Sequence, residues 1–301
     1  MPDVNRRTLL FGSAGLALLA ACDSDDGGAA PPPFGISAIP DQDPEKLNRL
    51  YSLVAGRFAA ATKLKVNYRP VTDYTAVVRA FEVGDIQLAW MGGLTGVQAR
   101  GRVRGATALV QRDIDQDFHS LFIASKTAGL APFDDAAGLR GLAGHTFTFG
   151  SETSTSGRLM PQYFMQQAGF ELTGLKGKPG FSGSHDATIE AVASGSFETG
   201  AVNEQVWAAT VKAGKPAAGR VVVLWRTPGY ADYHWLLRPG VDEKFGAGTV
   251  QAVKDLLLGL DPANPDDASI LQLFGAGRFI PTENANYDRI EAVAREQGLL
   301  A

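Results

Sequence analysis

The chain has 301 residues, of which 45% are hydrophobic and 20% charged, and its formal net charge at pH 7 is −4. This length and composition suit one or two well-packed globular domains and exclude a disordered chain. The slightly acidic balance, with no run of basic residues, argues against nucleic acid as a partner.

The first 21 residues are predicted to be an export signal that is separate from the fold. A twin arginine, Arg6-Arg7, precedes an apolar run, Leu9–Ala21, that is too short for a membrane span. The run ends in Leu19-Ala20-Ala21-Cys22, which resembles the lipobox of a bacterial lipoprotein in a leader of twin-arginine type. This resemblance implies cleavage before Cys22, the single cysteine, and attachment of lipid to it. We therefore expect a flexible, lipid-anchored tether over residues 22–34 and a location on the outer face of the cytoplasmic membrane.

Strands and helices alternate in the first part of the domain. Short apolar runs bounded by turn residues predict strands at Gly35–Ile39, Leu64–Tyr68 and Ile86–Met91. Helices are predicted after Asp43 and Asp73, and another follows the glycine-rich turn Gly92–Thr95. This βαβαβ order implies a mainly parallel sheet with helices on both faces. In such sheets ligands bind at the carboxyl ends of the strands.

A second unit of the same kind occupies the middle of the chain. It has a short helix at Phe133–Leu139 and strands at Ser120–Ser125, Gly144–Phe149, Thr199–Asn203 and Arg220–Trp225. The chain then crosses back at Tyr233–Leu237 and ends in helices at Val250–Leu260, Ile270–Phe274 and Tyr287–Gln297. We therefore expect an α/β protein of two lobes joined by two crossing strands. The first lobe contains residues 35–119 and 231–301, and the second contains residues 120–230.

The junction between the predicted strand at Phe149 and the next helix is the strongest candidate site. Ser154-Thr155-Ser156-Gly157 places three hydroxyl groups and a glycine where that helix begins. A helix start offers free backbone N–H groups and the positive end of the dipole, so it suits an anion. The hydroxyl groups add donors, and Gly157 lets the backbone approach a ligand closely. The alternative is that Ser154 or Ser156 serves only as a helix cap.

Other side chains can complete an anion site. His185 lies at a helix start beside Gly183 and Ser184, where it is either a donor to the anion or a buried capping histidine. Tyr74, Tyr230 and Tyr233 can add phenol donors, although each can equally be an ordinary packing residue.

The sequence contains no pattern typical of an enzyme or a metal site. The four histidines have no metal-binding spacing, and neither a GxSxG nor a GxxxxGK[ST] motif is present. A Ser/His/Asp triad of Ser154 or Ser156 with His185 and Asp186 is disfavoured, because neighbouring helical side chains do not face each other. We expect no cofactor, no metal and no catalytic activity.

Four motifs occur in order along the chain: Val71–Tyr74, Gly84–Trp90, Ser154–Gly157 with Pro161, and Gly183–Asp186. Together they resemble the phosphate/phosphite/phosphonate-type substrate-binding proteins of ABC importers, over about residues 35–300. Three further stretches are similar to a subgroup described as selenate-binding: Ala38–Leu50, Gly92–Arg100 and Phe279–Tyr287.

This resemblance implies a type II periplasmic-binding fold, in which two lobes close on a small oxyanion and a membrane permease receives it. The protein is expected to be a monomer. The resemblance implies that Ser154, Thr155 and Ser156 bind the oxyanion, with His185 and Tyr74 completing the shell. We expect Gly157, Thr95 and Tyr233 to be ligand-binding residues as well. Phe118-His119 stands where family members often carry a tyrosine, so that contact is missing. Clear counterparts of the carboxylates that hold an amine are also missing near Gln205 and Tyr233, which favours an oxyanion without an amino group.

The residues leave the choice of oxyanion open. Phosphate, phosphite and phosphonate can keep a P–OH that needs an acceptor, for which Asp73, Asp186 and Glu204 are candidates. Selenate and sulfate are fully ionised near neutral pH, and a carboxylate would repel them. Two rival functions are a surface lipoprotein that senses a ligand and a hydrolase of phosphate esters.

Overall fold

The computed structural model describes residues 32–300, so the predicted leader and Cys22 lie outside this range. Strands in the described part of the chain are β1 (Phe34–Ala38), β2 (Val66–Tyr68), β3 (Leu88–Met91), β4 (Thr107–Arg112), β5 (Ser120–Ser125), β6 (Phe147–Phe149), β7 (Gly180–Phe181), β8 (Thr199–Asn203), β9 (Val221–Arg226), β10 (His234–Leu237) and β11 (Phe279–Pro281). The α-helices in the same range are α1 (Pro44–Thr62), α2 (Tyr74–Val83), α3 (Gly93–Arg102), α4 (Met160–Gln167), α5 (His185–Ala193), α6 (Glu204–Lys212), α7 (Val241–Phe245), α8 (Thr249–Leu258), α9 (Pro265–Phe274) and α10 (Asp288–Glu296).

The strands form two sheets. One has six strands in the order β11-β4-β10-β3-β1-β2, and the other has five in the order β7-β6-β8-β5-β9. We call the six-stranded sheet, with α1–α3 and α7–α10, the first lobe, and the five-stranded sheet, with α4–α6, the second lobe. The first lobe therefore draws its strands from both ends of the described chain and the second from the middle. The residue limits predicted for the lobes stay predictions.

Both sheets are mixed, which corrects the expectation of mainly parallel sheets. Strand pairs β1–β2, β1–β3, β6–β7 and β6–β8 are parallel. The other five pairs in residues 32–300 are antiparallel, and all of them involve β4, β5 or β10. Strands become parallel when a helical crossover joins them. By contrast, β5 and β10 enter their sheets directly from the other lobe.

Local predictions succeed where the chain carries a clear pattern. Ser120–Ser125 and Thr199–Asn203 are strands with the predicted bounds. The helix predicted at Phe133–Leu139 is a 3₁₀ helix at Ala136–Leu142. Strands β4, β7 and β11 have no counterpart among the predictions.

Helix α1 shows how the sequence determines where a helix begins, where it ends and which face it buries. Asp43 Oδ1 accepts a hydrogen bond from Lys46 N at 2.9 Å, and Pro44 is the first helical residue, where its missing N–H has no cost. The helix ends at Lys63, which adopts a left-handed conformation with φ of 61°. Its inner face buries Leu47, Leu50, Tyr51, Val54, Ala55 and Phe58.

The two segments that cross between the lobes are bonded to each other. Phe118 N donates to Tyr230 O at 2.9 Å, and Tyr230 N donates to Phe118 O at 3.0 Å. This short antiparallel bridge fixes the two crossings side by side. The two chain segments that link the lobes are therefore held together by two backbone hydrogen bonds.

Helix α3 packs tightly against β10 at Gly96, where an added Cβ would overlap the ring of His234. That ring has little room to move, because it is fully buried and packs at a tilted angle against Tyr287 with ring centroids 4.1 Å apart. We expect Gly96→Ala to lower the free energy of unfolding by about 1–3 kcal/mol, measured by denaturant titration.

Gly101→Ala, in the same helix, is the matched control, since an added Cβ meets no heavy atom within 4 Å. It should raise the free energy of unfolding by about 0.5–1 kcal/mol. Equal changes in the two variants would show that the contact at Gly96 is unimportant.

Candidate functional site

The hydroxyl-rich junction Ser154–Gly157 is buried between the lobes. β6 leads into a loop, and residues 155–159 form a short π-helical turn before α4. Ser154 caps this turn, since its Oγ accepts from Gly157 N at 3.0 Å. Ser156 O accepts from Ser120 Oγ at 2.7 Å, which ties the junction to β5. The cap predicted as the simpler role of Ser154 is therefore present.

The junction meets the first turn of α3 in the opposite lobe. Leu94 N donates to Thr155 Oγ1 at 3.0 Å, and Gly93 N donates to Asp232 Oδ1 at 2.9 Å. A Cβ at Gly92 would lie only 3.0 and 3.2 Å from the two acceptors, closer than an ordinary contact, so the glycine makes this approach easier. The hydroxyl of Thr155 thus joins the two lobes.

Thr95 lies in the same turn, but its hydroxyl hydrogen is already used in a hydrogen bond within the turn. Thr95 Oγ1 donates to Gly92 O at 3.0 Å, and the side chain is fully buried. This hydrogen bond holds the turn, and it leaves the hydroxyl without a free proton for a ligand.

His185 is the first residue of α5, and its ring is fully buried. Its Nδ1 accepts from Asn203 N at 3.3 Å, so in the neutral ring the proton must be on Nε2. Nε2 lies 3.5 Å from Ser156 Oγ and 3.4 Å from the Tyr233 hydroxyl. Burial lowers the pKa of His185 to about 4, against the opposing effect of Asp186. The imidazole is therefore a neutral donor at physiological pH.

The three tyrosines predicted as donors are all buried, and they differ in their hydrogen bonds. The Tyr233 hydroxyl accepts from Asn203 Nδ2 at 3.0 Å. The Tyr74 hydroxyl is buried and has no hydrogen-bond partner among residues 32–300. Burial raises the pKa of both phenols well above the usual value, so both keep their protons. Tyr230 instead bonds Ser120 Oγ at 2.6 Å and supports the junction from behind.

Two buried carboxyl groups, Asp41 and Asp232, were missed by the sequence reasoning. Asp232 Oδ2 is buried and has no hydrogen-bond partner in the described chain. Burial raises the pKa of Asp232 to about 7, although the bonds from Gly93 N and Thr155 oppose this. Burial also raises the pKa of Asp41 to about 6, against the effect of the Tyr233 hydroxyl.

The three carboxylates expected as acceptors are occupied elsewhere. Asp73 Oδ1 caps α2 by accepting from Ala76 N at 2.8 Å. Asp186 Oδ2 accepts from Asp43 N at 2.9 Å, and Glu204 pairs with Arg226 at 2.7 Å. The signal that could have found Asp232 is its place between two tyrosines, in the segment that crosses back.

A catalytic triad does not form. Ser156 and His185 lie together as a nucleophile and base would, but the Nδ1 of His185 accepts a backbone N–H and so cannot donate to a carboxylate. Asp186 faces Asp43 and Lys215 instead. Residues 32–300 also contain no group of three or more His, Cys, Asp or Glu side chains arranged to hold a metal ion. No helix within that range is both long and apolar enough to cross a membrane.

Comparison with known proteins identifies the family of this chain. Residues 36–287 match the ABC transporter, phosphonate, periplasmic substrate-binding protein family. The chain is 42% identical over 262 residues to a probable ABC transporter phosphite binding protein, PhnD1, of Prochlorococcus marinus, covering 87% of this chain and 88% of that protein. It is 27% identical over 231 residues to the phosphate-import protein PhnD of Mycolicibacterium smegmatis, covering 71% of each.

The structural comparison gives the same result. A structure of Prochlorococcus marinus PhnD1 in complex with methylphosphonate has a TM-score of 0.87 at 41% identity, covering 88% of this chain and 98% of that one. A binding protein component of an ABC phosphonate transporter from Pseudomonas aeruginosa has a TM-score of 0.75 at 18% identity, covering 87% and 85%, and shows the fold alone.

The fold is thus the predicted two-lobed type II periplasmic-binding fold, an α/β arrangement with helices flanking both sheets. Members of the matching family are exported transport components and not enzymes, which confirms the prediction of a binding protein. The chain belongs to the family of phosphonate periplasmic substrate-binding proteins of ABC transporters.

Proposed function

We propose that this protein captures a small phosphorus oxyanion, such as phosphite or methylphosphonate, between its lobes and delivers it to an ABC permease. The observation that carries the proposal is one unpartnered carboxylate oxygen, Asp232 Oδ2, in the same buried region as the neutral donors His185, Tyr74 and Tyr233. The relatives named for phosphite, phosphate and methylphosphonate support this class of ligand.

The donors of the proposed shell are Ser156, His185, Tyr74 and Tyr233. Gly157 is packed closely against Ser154 and His185, and its N–H already donates to Ser154 Oγ, so we assign it to the wall of the site. A buried anion is costly unless each oxygen receives hydrogen bonds, and neutral donors provide them without a permanent countercharge. Ser154, Thr155 and Thr95 already have partners through their hydroxyl groups. We assign these three to shaping the wall of the site.

The carboxyl group of Asp232 favours phosphorus over selenium or sulfur. A phosphonate or phosphite monoanion can donate its P–OH to Asp232 Oδ2, whereas selenate and sulfate have no proton to donate near neutral pH. An unpaired carboxylate facing such a dianion would repel it. This argues against the selenate alternative.

The amino-terminal anchor is a separate part of the proposal. The lipobox-like sequence before Cys22 supports lipid attachment after export. We propose that the mature protein is held on the outer face of the cytoplasmic membrane and acts there as a monomer.

Thermal melting with phosphite, methylphosphonate, phosphate, selenate, selenite and sulfate tests the ligand class. A ligand at 100 times its Kd adds about 2.7 kcal/mol, which raises the Tm of a domain of this size by about 5–10 °C. We expect one or two phosphorus oxyanions to give this shift and selenate and sulfate to give none.

Ser156→Ala and His185→Ala should remove the shift while leaving a cooperative transition. A larger shift with selenate than with any phosphorus oxyanion would overturn the proposed specificity. Turnover of a chromogenic phosphate ester would favour the hydrolase instead.

The pH dependence of binding tests the role of Asp232. In the proposed complex the ion and the carboxyl share one proton, and the pKa of Asp232 in the unliganded protein is raised to about 7 by burial. Above this pH the shared proton is lost from both groups, so we expect Kd for methylphosphonate to rise about tenfold per pH unit in calorimetric titrations. Below it, the free carboxyl and the free ion each hold a proton and one of the two must be released on binding, so Kd should also rise toward acid pH and pass through a minimum near neutral pH.

Asp232→Asn should flatten this slope and strengthen sulfate and selenate binding, because an amide donates without an added proton. Asp73→Asn is the control, since asparagine also caps a helix and this side chain lies outside the site. The same slope in wild type and Asp232→Asn would exclude the proton-sharing role.

Cell fractionation tests the anchor. Wild-type protein should sediment with membranes, and Cys22→Ser should be released or remain as uncleaved precursor. Membrane association of a mature, processed Cys22→Ser protein would contradict lipidation at Cys22.

A further inference from the structure

A second polar contact joins the lobes away from the hydroxyl junction. It involves Gln205, the second residue of α6 in the second lobe. Gln205 Oε1 accepts from Arg112 Nη1, and Gln205 Nε2 donates to Phe274 O. Both partners belong to the first lobe, at the end of β4 and the end of α9. We call the pocket formed by Arg112, Phe274 and Gly275 the Gln205 socket.

Arg112 is held rigidly within the first lobe. Its Nε and Nη2 donate to the Asp115 carboxylate at 2.8 and 2.6 Å, and its Nη1 also donates to Phe274 O at 2.8 Å. The guanidinium lies 4.8 Å from the ring centroid of Tyr233 and 5.3 Å from that of Trp90. These contacts come from the first lobe and the returning crossing segment, so they fix Arg112 without any contribution from a ligand.

Gly275 provides the space that the amide needs. It ends α9 in a left-handed conformation with φ of 65°, which glycine adopts without strain. A Cβ at this position would overlap Gln205 Nε2. Gln205 can therefore enter the socket only because Gly275 has no side chain.

We propose that Gln205 is a positioning residue that stabilises the closed arrangement of the lobes before any ligand binds. A hydrogen bond to a charged donor such as Arg112 contributes more than a neutral one. Apparent affinity scales with the fraction of protein already in the binding-competent state. Gln205 therefore sets how tightly every ligand binds and leaves the choice among ligands to the oxyanion shell. Its effect on affinity rests on the proposed function, whereas its effect on the unliganded lobes does not.

The experiment measures lobe separation and affinity in Gln205→Ala and in Gln205→Met, which keeps the length of the side chain without its hydrogen bonds. Spin labels at Val83→Cys and Val211→Cys, both on exposed residues of different lobes, report the distance in a Cys22→Ser background. Gln251→Ala is the matched control, because Gln251 is exposed and bonds only Asp255 in its own helix, at 2.7 Å.

We expect both Gln205 variants to show a longer, broader distance distribution without ligand. We expect Kd to rise about tenfold for phosphite and methylphosphonate alike, equivalent to about 1.4 kcal/mol. Gln251→Ala should match wild type in both measurements. An unchanged distance distribution in both Gln205 variants would overturn the inference, whether or not any oxyanion binds. A change in the ratio of the two Kd values would also overturn it, because Gln205 would then act on specificity.

Discussion

Polar groups buried where two lobes meet need partners across that boundary, because an unpartnered buried group costs about 1–3 kcal/mol. This constraint organises the structure. His185 N donates to Asp41 O at 3.0 Å, and Leu94 N donates to Thr155 Oγ1 at 3.0 Å, so backbone groups of each lobe use acceptors of the other. Two groups of the candidate site, the Tyr74 hydroxyl and Asp232 Oδ2, have no hydrogen-bond partner among residues 32–300, and they are a donor and an acceptor. A protonated oxyanion can satisfy both.

Sequence reasoning could predict those parts of the fold that local pattern determines. The strand Thr199–Asn203 is a small, apolar segment between turn residues, and Asp43 with Pro44 marks a helix start by capping alone. Strand direction was not predictable in this way, because it depends on which lobe the chain comes from. β11 is only three residues long, Phe279–Pro281, and contains a proline, so its strand character comes from pairing with β4.

The candidate site was predictable where its chemistry is concentrated in sequence. Three consecutive hydroxyl residues at a helix start identify the junction, and His185 stands at another helix start. The sequence alone could not assign a role to Asp232: its place between two tyrosines singles it out, but it acts through a contact with Gly93, 139 positions away. Neither could a sequence reveal that the hydroxyl of Thr95 closes its own turn. Such roles depend on distance in space.

The doubly bonded bridge between Phe118 and Tyr230 has a consequence for the order in which a ligand is enclosed. If the lobes rotate about an axis through this bridge, each atom moves in proportion to its distance from the axis. Asp232 follows Tyr230 by two residues and is hydrogen-bonded to Gly93 of the first lobe, so this rotation would move it very little. The alcohol of Ser156 travels with the second lobe. An arriving ion would then meet the acceptor and the phenols of the first lobe early, and the Ser156 and His185 donors of the second lobe last.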